Sequence, residues 1–380
     1  MTSVYFDNSA TTMVDERVIK VMDRFHLVSY GNASSMHKMG LEAGEALDQA
    51  RRSVARAIGG TAREIVFTSG GTEADNLALM GYSLANKERG KHIITSCIEH
   101  HAVLRTCEHL QTLGFEVTYL PVTPEGQVRP EDLERAIRQD TIIVSIMSAN
   151  NEIGTIQNIR EIGAITRSRA IAFHTDAVQS ICKQNLHVVK DNIDMLSISA
   201  HKFHGPKGVG ALFVRKGLRI SPIIFGGGQE RGLRSSTENV PGIVGMAKAI
   251  DVGMEEMEDS VKRMREMRDL IIEGCLSYVK GAMLNGHQTE RLCNNAHFCF
   301  KDLEGESLVL MLSSEGFMTS TGSACSSRSL EPSHVLKALG LRNDQARGSL
   351  RVSLSKFNTM DQAKEFVDIL PEIVERVRKL

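Results

Sequence analysis

Between Ile65 and Val214 the chain alternates short apolar runs with stretches of helical periodicity, and that rhythm restricts the fold class more than any other feature. The runs are Ile65–Thr68, His92–Ser96, Val117–Leu120, Ile142–Met147, Ala170–His174, Met195–Ser199 and Gly210–Val214. Several carry apolar side chains at successive positions, as strands do in a sheet covered on both faces. Glu73–Glu88, His101–Leu113, Pro130–Arg138 and Ile159–Ser168 have the spacing of helices that supply such cover. Pro130 suits a first helical turn, where its missing amide hydrogen costs nothing. The alternation predicts an α/β fold with a mostly parallel sheet of seven strands, although strand order is not encoded in it.

A chain of 380 residues exceeds one ordinary compact unit. We expect residues 16–255 to form a large unit and 256–380 a smaller α/β unit, with the N-terminal segment 1–15 joining the smaller one. In the latter, Ala296–Phe300 and Ser349–Ser353 read as strands, Glu304–Leu312 and Met360–Lys379 as helices. Val240–Tyr278 reads as long, interrupted helix, with Met246, Ile250, Met254 and Met257 as an ordinary packing stripe. Leu218–Ser236, with Gly226–Gly228 ahead of Arg231 and Arg234, breaks the rhythm and reads as a mobile or ligand-facing connection.

Charge and cysteine usage exclude several functions. The 45 basic and 46 acidic residues leave a formal charge of -1, which gives no footprint for nucleic acid or anionic lipid. No apolar run approaches the roughly 20 residues that cross a bilayer, and no basic-then-apolar leader opens the chain, so a cytoplasmic location is expected. The seven cysteines, at 97, 107, 182, 275, 293, 299 and 325, are odd in number and show no close pairing. That argues against a disulfide framework and against a metal site of the chain's own.

Candidate chemistry clusters behind the strands. Phe67–Glu73 leaves a strand, crosses Gly70 and Gly71 and enters a helix, so free amides and the Thr72 hydroxyl can meet a phosphate. Asp176 follows a strand and could keep a pyridinium nitrogen protonated, or could simply cap a turn. Gln179 could reach a ring oxygen or lie on a helix surface. Lys202, just past Met195–Ser199, could be desolvated enough to act as a nucleophilic amine, against the alternative of a solvated loop lysine. Cys182, Cys275 and Cys299 have apolar neighbours and read as small core residues. Cys325 sits among small and polar residues near Arg328, which suits an exposed, flexible loop at about 320–331 and easier access to the thiolate.

Eight segments taken in order resemble the cysteine desulfurases that feed iron–sulfur cluster assembly and nitrogen fixation. They are Tyr5–Thr12, Thr68–Glu73, Glu99–His100, Asn150–Gly154, Asp176–Gln179, Ala200–Lys202, Arg234–Asn239 and Gly322–Ser327. The resemblance implies the fold type I architecture of pyridoxal-phosphate enzymes and a homodimer. It implies that Lys202 carries the cofactor as an internal aldimine, that Asp176 pairs with its ring nitrogen and that His100 stacks on the ring. Asn151 and Gln179 would bind the ring-oxygen side, while Gly71, Thr72, Ser199 and His201 cradle the phosphate with Thr237 of a second subunit. Arg351 would clamp the carboxylate of L-cysteine through paired hydrogen bonds, supported by Asn32 and Asn151. Lys202 would take the α proton, with His100 as local proton carrier because its unperturbed pKa is near ~6.5. Cys325 would attack the substrate sulfur and carry it as a persulfide to an acceptor, an iron–sulfur scaffold protein that could transiently engage Cys325 as a cluster ligand.

Departures from the family pattern are small: Ala200 and Ser236 stand at frequent glycines, Ala33 at a frequent proline. The sequence stops at Leu380 after its last helical stretch, where many housekeeping relatives carry a scaffold-docking tail, so a nitrogen-fixation or other specialised role stays open. A selenocysteine lyase, another enzyme of the same fold, or a non-catalytic partner protein are the competing readings. Retention of Lys202, Asp176, His100, Arg351 and Cys325 together opposes the last.

Overall fold

The computed structural model describes residues 3–322 and 332–379. Seven strands form one sheet, in the order Ile65–Thr68, Gly210–Val214, Met195–Ser199, Ala172–Asp176, Thr141–Ser145, His92–Ser96 and Glu116–Leu120. Gly210–Val214 runs antiparallel to both neighbours and the remaining pairs are parallel. Successive strand residues point to opposite faces and enter separate cores. Phe67, Ile94, Val144, Phe173, Leu196 and Phe213 join one core, under helices Glu16–Leu27, Lys38–Ala57 and Val240–Glu255. Val66, Ile93, Ile143, Ala172, Met195 and Leu212 join the other, with Leu77, Tyr82, Val103 and Leu110. This double cover is why the strands read as continuous apolar runs.

A second, smaller sheet is antiparallel, in the order Ser349–Ser353, Asn295–Phe300, Ala282–Asn285. Phe298, Phe300, Ile271, Phe366 and Ile373 form its core under helices Met257–Tyr278 and Met360–Val377. Phe6 joins that core, and Val4–Tyr5 pairs in parallel with Phe317–Met318.

The structure departs from the sequence reading in local ways. The strand expected at Ala170–His174 is Ala172–Asp176, because Ala170 has a left-handed backbone (φ 55°) that ends the preceding helix. The helix expected at Glu73 starts at Gly71 and holds a π-helical turn over Leu77–Gly81. Cys275 and Cys299 are core residues, but Cys182 is only half-buried, its left-handed backbone (φ 61°) seating the thiol against Gly253. Leu218–Ser236 does not face the cavity described below; part of it covers a sheet edge. There Glu230 accepts from the Phe67 amide at 2.9 Å and Arg231 donates to the Ile65 carbonyl at 2.6 Å. Arg51 pairs with Glu230 at 2.6 Å, so the free backbone groups of this edge are satisfied by a buried ion pair.

Candidate active site

The C-terminal ends of the central strands open on a cavity of about 260 Å³, the edge at which open α/β sheets bind ligands. Lys202, Asp176, His100, Asn151, Gln179 and Arg351 all line it. So do Gly71, Thr72, Ser199 and His201, which also border an adjoining opening toward Lys207.

Lys202 closes the turn Ala200–Lys202 directly after its strand, and its ammonium donates to the carbonyls of Ser9 at 2.6 Å and Ala10 at 2.7 Å. The N-terminal motif thus forms a wall of the cavity. Asp176 is the last residue of its strand, and its carboxyl accepts from the Val178 amide at 2.9 Å. Asp75 lies one turn along the helix that begins at Gly71 and is also buried in the cavity wall. Burial raises the pKa of both carboxyls, and Asp176 pushes Asp75 up further. Behind them the fully buried His174 bridges Ser145 at 2.8 Å and Ser197 at 3.0 Å.

His100 caps the helix His101–Thr112, its Nδ1 accepting from the Ala102 amide at 3.1 Å. A neutral ring in that position carries its proton on Nε2. Burial, and then the Lys202 charge, lower its pKa to about 4. This corrects the expectation of a group titrating near neutrality: the cavity holds His100 neutral.

Arg351 is 2% exposed and is the central residue of Ser349–Ser353, an outer strand of the smaller sheet. It donates to the Asn151 carbonyl at 3.0 Å and to the Gly322 carbonyl, and pairs with Asp7 at 2.7 Å. Its Nε has no hydrogen-bond partner among the described residues. The same holds for Gln179 Oε1 and Ser9 Oγ, while Gln179 Nε2 is spent on the Ser9 carbonyl at 3.0 Å; Asp75 Oδ1 instead lies 3.6 Å from Nε2 of the buried His174. Buried polar atoms of native proteins are nearly always satisfied, so this set is suited to a polar ligand.

Two predicted residues are elsewhere. Asn32 is exposed and its side chain accepts from the Ser34 amide at 2.9 Å; Thr237 is also exposed, and neither lines the cavity. Cys325 lies outside the described residues. Sequence reasoning missed Asp75, His101, Glu152 and His334, which also line the cavity. Asp75 was legible in principle, four positions after Gly71 and so on the same helix face.

The family description Aminotransferase class-V matches residues 4–366 of this chain. A protein named cysteine desulfurase IscS from Methanosarcina thermophila is 52% identical over 378 residues, covering 100% of this chain and 93% of its own length. A solved structure titled NifS-like protein superposes with a TM-score of 0.93 at 41% identity, over 99% of this chain and 100% of that one. Another, titled SspA in complex with cysteine, gives a TM-score of 0.83 at 38% identity, over 94% of this chain and 100% of that one.

Proposed function

The chain belongs to the class-V aminotransferase family, and on that premise we propose that it is a pyridoxal-phosphate-dependent cysteine desulfurase, converting L-cysteine to L-alanine and passing the sulfur on through Cys325. The observation that carries the reading is the convergence of Lys202, Asp176, His100 and Arg351 on one cavity.

The residues present fit pyridoxal phosphate. Gln179 and Ser9 line the cavity and each keeps a buried side-chain oxygen without a hydrogen-bond partner among the described residues, and a buried carboxyl at Asp176 is matched to a pyridine nitrogen. A Cβ on Gly71 would meet Val178 at 2.8 Å, so only glycine leaves the helix start open to a phosphate. When bound, the cofactor supplies an electron sink for charge developing at the substrate α carbon.

The chain's own residues do the rest. Lys202 is the amine that would hold the cofactor and then take the α proton. Arg351 fixes the substrate carboxylate, and its existing bonds to Asn151, Gly322 and Asp7 leave it pre-oriented for that task. Neutral His100 offers an Nε2 proton toward the reacting sulfur or ring. The Cys325 thiolate takes the sulfur as a persulfide and delivers it to an acceptor, for which we infer an iron–sulfur scaffold protein in the cytoplasm. We assign residues 16–255 to a large cofactor-binding unit, and 1–15 with 256–380 to a smaller one. Exposed Thr237 is assigned to a homodimer, in which Thr237 of a second copy reaches the phosphate.

The test is release of alanine and sulfide from L-cysteine under reducing conditions, with cofactor trapped on Lys202 by borohydride. Wild type is expected to form both products, and Cys325→Ala to bind cysteine without forming alanine. No alanine from wild type would sink the assignment; unaffected alanine release by Cys325→Ala would sink the relay.

A further inference from the structure

Gln179 and Lys202, both in the cavity wall, are tied to one another twice. On the cavity side, the Ser9 carbonyl accepts from Gln179 Nε2 at 3.0 Å and from Lys202 Nζ at 2.6 Å. On the other side, the half-buried Lys183 donates through Nζ to the main-chain carbonyls of the same two residues, Gln179 at 3.1 Å and Lys202 at 3.2 Å. Lys183 does not line the cavity; it borders a separate space of about 30 Å³ that also touches Lys202. The chemistry above gives it no part.

Sharp turns beside each carbonyl leave both to Lys183. Cys182 has a left-handed backbone (φ 61°), and the Lys183 amide bonds to the Ser180 carbonyl at 2.9 Å instead of continuing a helix onto Gln179. His204 is left-handed too (φ 67°), and its amide bonds to the Thr12 hydroxyl at 2.8 Å. Main-chain carbonyls passed over by such turns need a donor from elsewhere. An ammonium with three N–H donors on a flexible stem can serve two of them at once. The neighbouring His201 carbonyl is held from outside as well, by the Thr12 amide at 2.9 Å and the Thr12 hydroxyl at 3.0 Å. The turn that presents Lys202 is thus anchored by its main-chain oxygens to two other segments.

We propose that Lys183 is a positioning residue for Lys202: its ammonium fixes the main chain of Lys202 against that of Gln179 while the Lys202 amine is in use. The bonds to the Ser9 and Ala10 carbonyls hold the amine itself, so they are given up whenever that amine bonds to the cofactor or takes a proton. The Lys183 bond holds the main chain and persists through both. A base kept within reach of its proton owes much of its rate to such fixing. Lys183 therefore acts through Lys202 and not on the substrate. The proposal rests on that part of the reading above which makes Lys202 the cofactor-bearing base.

The test is exchange of the α hydrogen of L-alanine, the proposed product, for solvent deuterium, which calls on Lys202 but not on Cys325. Cofactor-loaded wild type, Lys183→Met, Lys183→Gln and Lys183→Arg are compared, with proton NMR giving the rate and visible absorbance giving half-saturation. Lys183→Met has no donor and is expected to exchange about tenfold more slowly at saturation, with half-saturation changed less than about twofold. Its apoprotein should bind pyridoxal phosphate about fivefold more weakly, because Lys202 and Gln179 are less well pre-arranged. Lys183→Gln keeps a donor but is too short to reach both carbonyls, and it carries the same expectations should Lys183→Met not fold. Lys183→Arg can donate to both carbonyls and has the adjoining space for its bulk, so it should exchange within about threefold of wild type. An unchanged maximal rate in Lys183→Met and Lys183→Gln, or a loss confined to half-saturation, overturns the role of Lys183. Absence of exchange in wild type overturns Lys202 as the base, and the role of Lys183 with it.

Discussion

Arg351 shows how a single side chain can be committed before any ligand arrives. Three acceptors from three parts of the chain, Asp7, Asn151 and Gly322, hold its guanidinium in a site that is almost fully buried. A lysine has a point charge and no planar fork, so it cannot satisfy all three and present a paired face to a carboxylate. Arg351→Lys is therefore expected to weaken kcat/KM for L-cysteine by about 1.5–3 kcal/mol, roughly ten- to a hundredfold. The loss should fall mainly on KM, read from initial rates over a range of cysteine concentrations. Unchanged KM would remove Arg351 from substrate binding. Single residues of this kind are legible in sequence only through the family likeness, because nothing in Leu350–Ser353 distinguishes Arg351 from a surface arginine on a strand. Asn32 and Thr237 illustrate the converse: the likeness names them, but one chain alone does not bring them to the cavity.

At the scale of elements, the strand Gly210–Val214 holds the two anion-facing segments in register. Gly210 is opposite Thr68 on one side and Ser199 on the other, so it backs both the Gly70–Gly71 turn and the strand that leads to Lys202. A Cβ there would lie 2.5 Å from the Ile198 carbonyl oxygen and 2.7 Å from the Gly70 carbonyl carbon, and both are backbone. Gly210→Ala should cost about 1–3 kcal/mol of stability by overpacking, measured as a lower urea midpoint. It should also weaken pyridoxal-phosphate affinity in a titration of the apoprotein, because the displaced atom belongs to the phosphate-side turn. A variant with normal cofactor affinity would show that the turn does not depend on this strand. The larger sheet was readable because burial on both faces writes an uninterrupted apolar run. The strand Ala282–Asn285 was not, since its side chains are partly exposed and its four residues carry no alternation long enough to register. The two-residue shift at Ala170 likewise came from a backbone conformation that alanine seldom adopts and that no pattern of hydropathy records.

For the whole molecule, buried ionisable groups make stability depend on pH in a predictable direction. Burial lowers the pKa of His174 and His297 to about 3, and of His100, His201 and His204 to about 4. These groups bind protons in the unfolded chain near ~6.5 but not in the native one, so the unfolded state gains protons first as pH falls. Stability should accordingly decline as pH drops through about 6.5 and continue to decline until the folded values are reached. Glu99 works in the opposite sense: burial raises its pKa to about 8, so the native state keeps a proton that the unfolded state releases. Its contribution is present at low pH and is lost as pH rises through about 8. The apoprotein should thus be most stable near neutrality, with limbs falling on both sides. His174→Gln tests the acid limb, because His174 is fully buried between Ser145 and Ser197 and a glutamine can bond to either hydroxyl without titrating. Removing one such proton should flatten the limb between pH 6 and 4 by up to about 1.4 kcal/mol per pH unit, read from urea midpoints taken across that range. A limb as steep as that of wild type would mean that His174 is charged in the native protein, and that the hydroxyls of Ser145 and Ser197 both accept from it.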